Sequence, residues 1–214
     1  MNSPIDTAAK PTERSEPRRL IIGISGASGI IYGVRALQLL QSSGIETHLV
    51  MSKSAEMTLA YETDLQPSGL RALASKHHQV TNIGAPISSG SFPTMGMLIL
   101  PCSVRTMSEI ATGVTSSLLT RAADVVLKEG RKLVLAIRET PLHVGHLRTM
   151  TQVAEMGAIV APIVPAFYNR PQSVDDIVNQ TVGRLLDLFG IDAGIVKRWT
   201  GAPGRRTPTS QEDC

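Results

Sequence analysis

Five short apolar runs in this chain each end in residues suited to holding a ligand. Gly26, Ala27, Ser28 and Gly29 follow the run 20–24, and Ser52-Lys53 follows 47–51. Pro101-Cys102-Ser103-Val104-Arg105-Thr106 follows 97–100, Arg138-Glu139 follows 133–137, and Ala166-Phe167-Tyr168 comes shortly after 158–161. The glycines at 26 and 29 allow a tight turn, and a helix starting at Ser28–Gly29 would aim free backbone N–H groups at an anion. The spacing fits a mononucleotide phosphate better than a dinucleotide, the alternative being a plain strand–helix turn whose glycines serve packing alone. Ile24 fills the first glycine slot of a dinucleotide fingerprint, and the second run ends in Ser52-Lys53 where an acid would take the ribose hydroxyls. Ser103 and Thr106 are placed either to cap a helix or to bind a ligand. Arg105, so near a helix N-terminus, opposes the dipole, and a neighbouring anion would explain it. Arg138-Glu139 ends a nearly continuous apolar strand and is expected close to the core.

Other side chains carry two readings each. Cys102 is a nucleophile or a packed strand end, and no paired histidine is evident in sequence. Arg121, Asp124 and Lys128 share a helical face as a charge ladder. Arg184, at the rim of an apolar stripe beside Ile177 and Leu188, either reaches across an interface to an anion or snorkels. His143 and His146 are spaced to share a helix face, and His77-His78 lie in a polar stretch. None has metal-ligand company, so they read as surface or core histidines. Trp199, the only tryptophan, is a docking anchor or a π wall over a ligand.

These residues need a scaffold, and the runs supply it. Strands at 20–24, 47–51, 97–100, 133–137 and 158–161 alternate with helical patterns, among them 30–43, closed by Gly44, and 150–156. The clearest helix is 173–189, capped by Ser173 with Asp176 completing a capping box and Gly190 as stop. Such alternation predicts an α/β fold: a doubly wound parallel sheet covered on both faces, with ligands beyond the carboxyl ends of its strands. A length of 214 residues suits a single domain, 19–200, with a flexible leader (1–18) and tail (201–214). The leader lacks the apolar stretch of a signal peptide and carries Glu13 and Glu16, unlike a transit peptide. No apolar run is long enough to span a bilayer, Pro162 and Pro165 interrupting the longest. Two cysteines, Cys102 and Cys214, form no disulfide framework and fit a reducing cytoplasm. A net charge of +3 with 3% aromatics and no basic stripe argues against nucleic acid.

The motifs in order resemble the flavin prenyltransferase family (UbiX-type) over roughly residues 19–200. They are Gly26-Ala-Ser-Gly29, Ser52-Lys53, Glu62-Thr63-Asp64, Ser89-Gly90-Ser91, Pro101-Cys102-Ser103, Arg121-Ala-Ala-Asp-Val-Val-Leu-Lys128, Arg138-Glu139-Thr140-Pro141-Leu142 and Pro165-Ala-Phe-Tyr-Asn-Arg-Pro-Gln-Ser173. The resemblance implies a flavodoxin-like (Rossmann-like) sheet and transfer of a dimethylallyl group from its monophosphate to N5 and C6 of reduced FMN. The product, prenylated FMN, would serve a UbiD-type decarboxylase. A homo-oligomer is implied, typically a dodecamer, with sites between subunits. FMN would be held by Gly26, Ala27, Ser28, Ser52, Ser103, Val104, Arg105, Thr106 and Arg138. The prenyl phosphate would meet Lys128, Tyr168 and Arg184, with Arg121 positioning Lys128 and Ser89 and Gly90 as possible substrate contacts. Catalytic roles fall to Ser28 and Glu139 near the leaving phosphate, Glu62 near the flavin ring and Trp199 near the prenyl group. Cations stabilise the departing phosphate and π faces an allylic cation, so no metal is implied.

Two positions depart from the family pattern: Arg105 stands where Gly is common, and Gly130 where Arg commonly follows Lys-Glu. The competing readings are a flavin-dependent cysteine decarboxylase and a non-catalytic FMN carrier or decarboxylase assembly partner. The first is disfavoured by Arg105, where that chemistry looks for Asn. The second would not need Lys128, Glu139, Tyr168 and Arg184 together.

Overall fold

The run Arg19–Ile24 alternates its side chains between two apolar layers, which makes it a strand buried on both faces. Leu20, Ile22 and Ile24 point into one layer and Ile21 into the other, all 0–1% exposed. A computed structural model describes residues 17–201; the leader and tail expected from the sequence fall, but for Pro17, Arg18 and Gly201, outside the described residues.

This strand, β1, is the second of four central strands in a six-stranded parallel sheet of order β3-β2-β1-β4-β5-β6. The others are β2 (Glu46–Met51), β3 (Lys76–His78), β4 (Gly96–Cys102), β5 (Lys132–Ile137) and β6 (Ile159–Val160). The five strands expected from the sequence appear in flavodoxin-like order. β3 is an addition on the edge. Its Lys-His-His sequence lacks the apolar run by which the other strands are legible, and it is held by parallel pairing to β2. The buried His48 joins His78 there, His48 Nδ1 to His78 Nε2 at 2.9 Å, and His48 Nε2 meets Glu46 Oε1 at 3.0 Å.

One layer is built by α1 (Ile30–Leu40), α2 (Lys53–Glu62), α3 (Pro67–Ala72) and α7 (Val174–Asp187). The other holds α4 (Val104–Ala111), α5 (Leu118–Lys128) and α6 (Val144–Glu155). In α7, Val178, Val182, Leu185 and Leu186 recur at helical spacing and are at most 7% exposed. Each such side chain stabilises the fold by roughly 1.5–3 kcal/mol, so packing rather than helix propensity holds α7 in place. Ser173 caps it by accepting from the Asp176 N–H, but the expected capping box is shifted: the Asp176 carboxylate accepts from Gln172 N–H instead. The helix expected at 150–156 starts earlier, at Val144, because His143 caps it; Nδ1 accepts from His146 N–H at 3.3 Å. His143 stands at the start of the helix as its N-cap, and its imidazole stacks on that of His146 with ring centroids 3.6 Å apart.

The winding direction reverses between β1 and β4, and a doubly wound sheet has its natural crevice at that point. The carboxyl ends of the two strands are stitched together there. Ser25 Oγ donates to Pro101 O and accepts from Ser103 N–H at 2.7 Å, and Ser52 N–H donates to Ile24 O.

Candidate active site

The turn after β1 has the shape expected of an anion cradle. Gly29 is the N-cap of α1 and lies at φ 97°, in the left-handed region that favours glycine. The anion, however, belongs to the protein. Glu62, at the C-terminal end of α2, takes Gly29 N–H at 2.8 Å and Ile30 N–H at 2.9 Å on Oε2. The start of α1, expected from the sequence to face a phosphate at Ser28–Gly29, faces this carboxylate. Two of the N–H groups that would have bound a phosphate are already paired, across a sequence gap of more than thirty residues. Partial burial pushes the Glu62 carboxyl up, but hydrogen bonds from Ser28, Ile30 and Gly29 and the charge of Arg138 outweigh it and hold the group below its usual range.

Because that pKa is depressed by folding, the stability it brings is present above the ordinary glutamate value of 4.5 and is lost as pH falls through the lowered one. Glu62→Gln is expected to flatten the acid limb of Tm against pH and to cost about 1 kcal/mol at neutral pH, the worth of a helix cap. Thermal unfolding of both proteins from neutral to acidic pH checks this; parallel acid limbs would remove Glu62 from the capping role.

Anion-binding capacity lies one strand away. Ser52, Ser103 and Ser117 are the N-caps of α2, α4 and α5, accepting from Ala55, Thr106 and Thr120 N–H respectively. All three line one cavity of about 510 Å³, together with Lys53, Arg105 and Thr106. Three helix dipoles and two side-chain cations thus converge on one space, an arrangement that favours a phosphate. Arg105 is 84% exposed and its Nε donates to Glu109 Oε1 at 3.0 Å, so an anion there would compete with an i,i+4 carboxylate for this guanidinium.

A second cavity, of about 370 Å³, adjoins the first and shares Ser54, Ser103 and Arg105 with it. Gly26, Ala27, Ser28, Val104, Arg138 and Glu139 complete its lining. The two cavities therefore bring together every cofactor-binding residue expected from the sequence. A Cβ on Gly26 would sit 2.4 Å from Ser54 Cβ and Oγ, so glycine is what lets the β1 turn and the start of α2 approach each other here. Arg138 is exposed and Glu139 half-buried. The expectation that this pair lies close to the core is corrected, because β5 ends at Ile137 and the chain then turns outward. Glu139 Oε1 accepts from Thr140 N–H at 3.0 Å. Cys102 is fully buried, and burial pushes its thiol well above the usual range, which favours its packing reading over the nucleophile.

The remaining candidates form two further groups. Tyr168, Arg184 and Trp199 line a cavity of about 600 Å³ with Val196 and Arg198. The rings of Tyr168 and Trp199 meet edge to face with centroids 5.9 Å apart, and Gln180 Nε2 lies 2.8 Å from Tyr168 Oη. Arg184 Nη1 donates to Asp187 Oδ2 at 2.5 Å. Lys128 does not line that cavity. Its Nζ is 2.5 Å from Glu129 Oε1 and sits against Gly90, beside the linked Ser89 and Ser91 hydroxyls. The charge ladder on α5 is accordingly partial: Arg121 pairs with Asp124 at 2.7 Å, while Lys128 turns to its own neighbour. Sequence reasoning passed over Arg198, Asp187 and Glu109; the charged stretch Lys197-Arg198 beside Trp199 was the available signal for the first. Among the described residues no group of three or more His, Cys, Asp or Glu could hold a metal ion, and no helix is long and apolar enough to cross a membrane.

The profile of the Flavoprotein family matches residues 8–186. The flavin prenyltransferase UbiX of Escherichia coli is 61% identical over 188 residues, 86% of this chain and 100% of that protein. The chain belongs to the UbiX-type flavin prenyltransferase family. Among solved structures, AnUbiX (PadA1) in complex with FMN and dimethylallyl pyrophosphate is 48% identical with a TM-score of 0.86, covering 87% of this chain and 99% of that one. A dodecameric FMN-dependent UbiX-like decarboxylase from Escherichia coli O157:H7 is also 48% identical, with a TM-score of 0.84 and coverage of 86% and 100%. The family's fold is thus present in this UbiX-type chain.

Proposed function

We propose that this chain is a flavin prenyltransferase, joining the dimethylallyl group of dimethylallyl monophosphate to reduced FMN for use by a UbiD-type decarboxylase. The observation that carries the reading is the pair of adjoining cavities at the β1/β4 reversal, phosphate-seeking at one end and flanked by Arg138 and Glu139 at the other. FMN fits them. Three capped helix starts with Lys53 and Arg105 suit its phosphate, and the space kept open by Gly26 suits a planar ring. When bound, the flavin supplies the N5 and C6 positions to which the prenyl carbons become joined.

The chain's own residues do the rest. Ser28 and Glu139 would deliver the proton that the leaving phosphate takes up when the allylic C–O bond breaks, a role supported by their lining the second cavity together. Glu62 holds the Ser28 turn in place through its bonds to the start of α1. Tyr168 and Arg184 bind the departing phosphate, and Trp199 and Tyr168 offer π faces to the allylic cation without trapping it. Lys128 completes the phosphate site from another protomer, as does the Ser89-Gly90 segment it packs against. That placement is supported by its absence from the Tyr168–Arg184 cavity and by the 48% and 62% exposure of Tyr168 and Trp199 in one chain. A homododecamer follows the relative whose structure is dodecameric. A cytoplasmic location fits the buried, free Cys102.

Anaerobic incubation with reduced FMN and dimethylallyl monophosphate, followed by mass analysis, is expected to show a flavin enlarged by one five-carbon unit. An unchanged flavin, where the Escherichia coli relative converts it, would defeat the reading. Sharing of the site has its own test. Lys128→Ala and Arg184→Ala should each be nearly inactive, yet oligomers reassembled from an equal mixture are expected to regain about a quarter of wild-type activity, because about one site in four then receives both native side chains. No recovery would place the two residues in sites of a single chain.

A further inference from the structure

Arg198 belongs to none of the roles assigned above, yet it lines the same cavity as Tyr168, Arg184 and Trp199. Its side chain is oriented by one carboxylate: Nη1 and Nη2 donate to the two oxygens of Asp187 at 3.0 and 2.9 Å. The same Asp187 accepts from Arg184 Nη1 at 2.5 Å. Asp187 is only 14% exposed in its side chain, whereas Arg184 and Arg198 are 55% and 49% exposed. One nearly buried anion thus anchors two guanidinium groups, and both arginines line the cavity.

The donor count shows what this leaves available. A guanidinium carries five N–H donors in a fixed plane. Asp187 takes one from Arg184 and two from Arg198, and Asp192 lies 3.4 Å from Arg198 Nη2. Each arginine therefore keeps N–H groups for a second acceptor while its plane is already set. Two pre-oriented forks beside a tyrosine hydroxyl are matched to an oxyanion with several acceptor oxygens, which is a phosphoryl group. The Arg198 and Arg184 hydrogen bonds hold Asp187 below the usual carboxylate range, so the anchor stays charged at neutral pH.

We propose that Arg198 is a second guanidinium ligand of the prenyl donor's phosphate and that Asp187 is the positioning residue that holds Arg184 and Arg198 as one unit. This rests on the prenyltransferase reading of the site and adds two residues to it.

The test uses the assembled, full-length protein and two readouts. In steady-state turnover, Arg198→Ala is expected to raise KM for dimethylallyl monophosphate about tenfold or more, with kcat within about threefold and FMN affinity unchanged. Arg198→Lys should not restore KM, since a single ammonium nitrogen lacks the planar fork that pairs with Asp187 through two nitrogens and still presents N–H groups to the phosphate. Asp187→Asn should raise KM to a similar degree, and the Asp187→Asn/Arg198→Ala double variant should be no worse than the weaker single variant, the signature of groups acting together. The second readout needs no turnover. Trp199 is the chain's only tryptophan and sits in this cavity, so its fluorescence in the flavin-free protein should report saturable binding of inorganic phosphate, weakened about tenfold or more by Arg198→Ala. A wild type that binds phosphate here but never prenylates FMN would sink the proposed function and leave this site standing. Unchanged KM and unchanged phosphate binding in Arg198→Ala would overturn the site, as would additive losses in the double variant.

Discussion

Glu139→Gln is expected to leave FMN bound with wild-type affinity and to slow prenyl transfer by about a hundredfold or more, the usual worth of a positioned proton-transfer group. The substitution is nearly isosteric, and the amide oxygen can still accept from Thr140 N–H, so the turn after β5 keeps its shape. What disappears is a group able to exchange a proton beside Ser28. Flavin titration followed by single-turnover analysis separates the two effects. Loss of binding and rate together would mean that Glu139 builds the pocket rather than serving the reaction, and an unchanged rate would remove it from the mechanism.

Gly26→Ala acts on the other half of the site and through geometry alone. The added Cβ meets Ser54 Cβ and Oγ at 2.4 Å and the Ser54 backbone carbon at 3.0 Å, distances that force one turn away from the other. Relaxation of such overpacking typically costs about 1–3 kcal/mol, and both turns line the two cavities. FMN affinity is therefore expected to fall by tenfold or more, a loss of at least about 1.4 kcal/mol. Adding Ser54→Gly should recover part of that loss, because it removes the side-chain clash but not the backbone contact. A Gly26→Ala protein that binds FMN as tightly as wild type would show that the close approach is unnecessary.

The two substitutions probe features of different legibility. Strands β1, β4 and β5 are buried on both faces, so their apolar runs are nearly continuous and their positions follow from composition, while β2 is legible from its Leu49-Val50-Met51 half. The residues beyond their carboxyl ends are therefore also legible, and the expected cofactor set lines two adjoining cavities. β3 escaped because an edge strand three residues long, Lys-His-His, is held by backbone pairing with β2 and carries no pattern. The start of α6 escaped because histidine is not a usual cap, and only the Nδ1 contact to His146 N–H identifies it.

The site divides in the same way. Sequence alone determined that a parallel sheet presents glycine, hydroxyl and charged residues at one edge, since strand periodicity and turn chemistry are local properties. Tertiary structure decided which anion each positive helix end meets. Glu62 is far along the chain from Gly29 and nothing in the spacing announces that its carboxylate closes the start of α1. The cavity proposed for a phosphate lies where α2, α4 and α5 begin, a convergence of segments from residues 52 to 117. Asp187 likewise unites Arg184 and Arg198 only after α7 and the following segment have packed. Electrostatic fields sum over space rather than over sequence, so partners of this kind become visible only once the chain is folded.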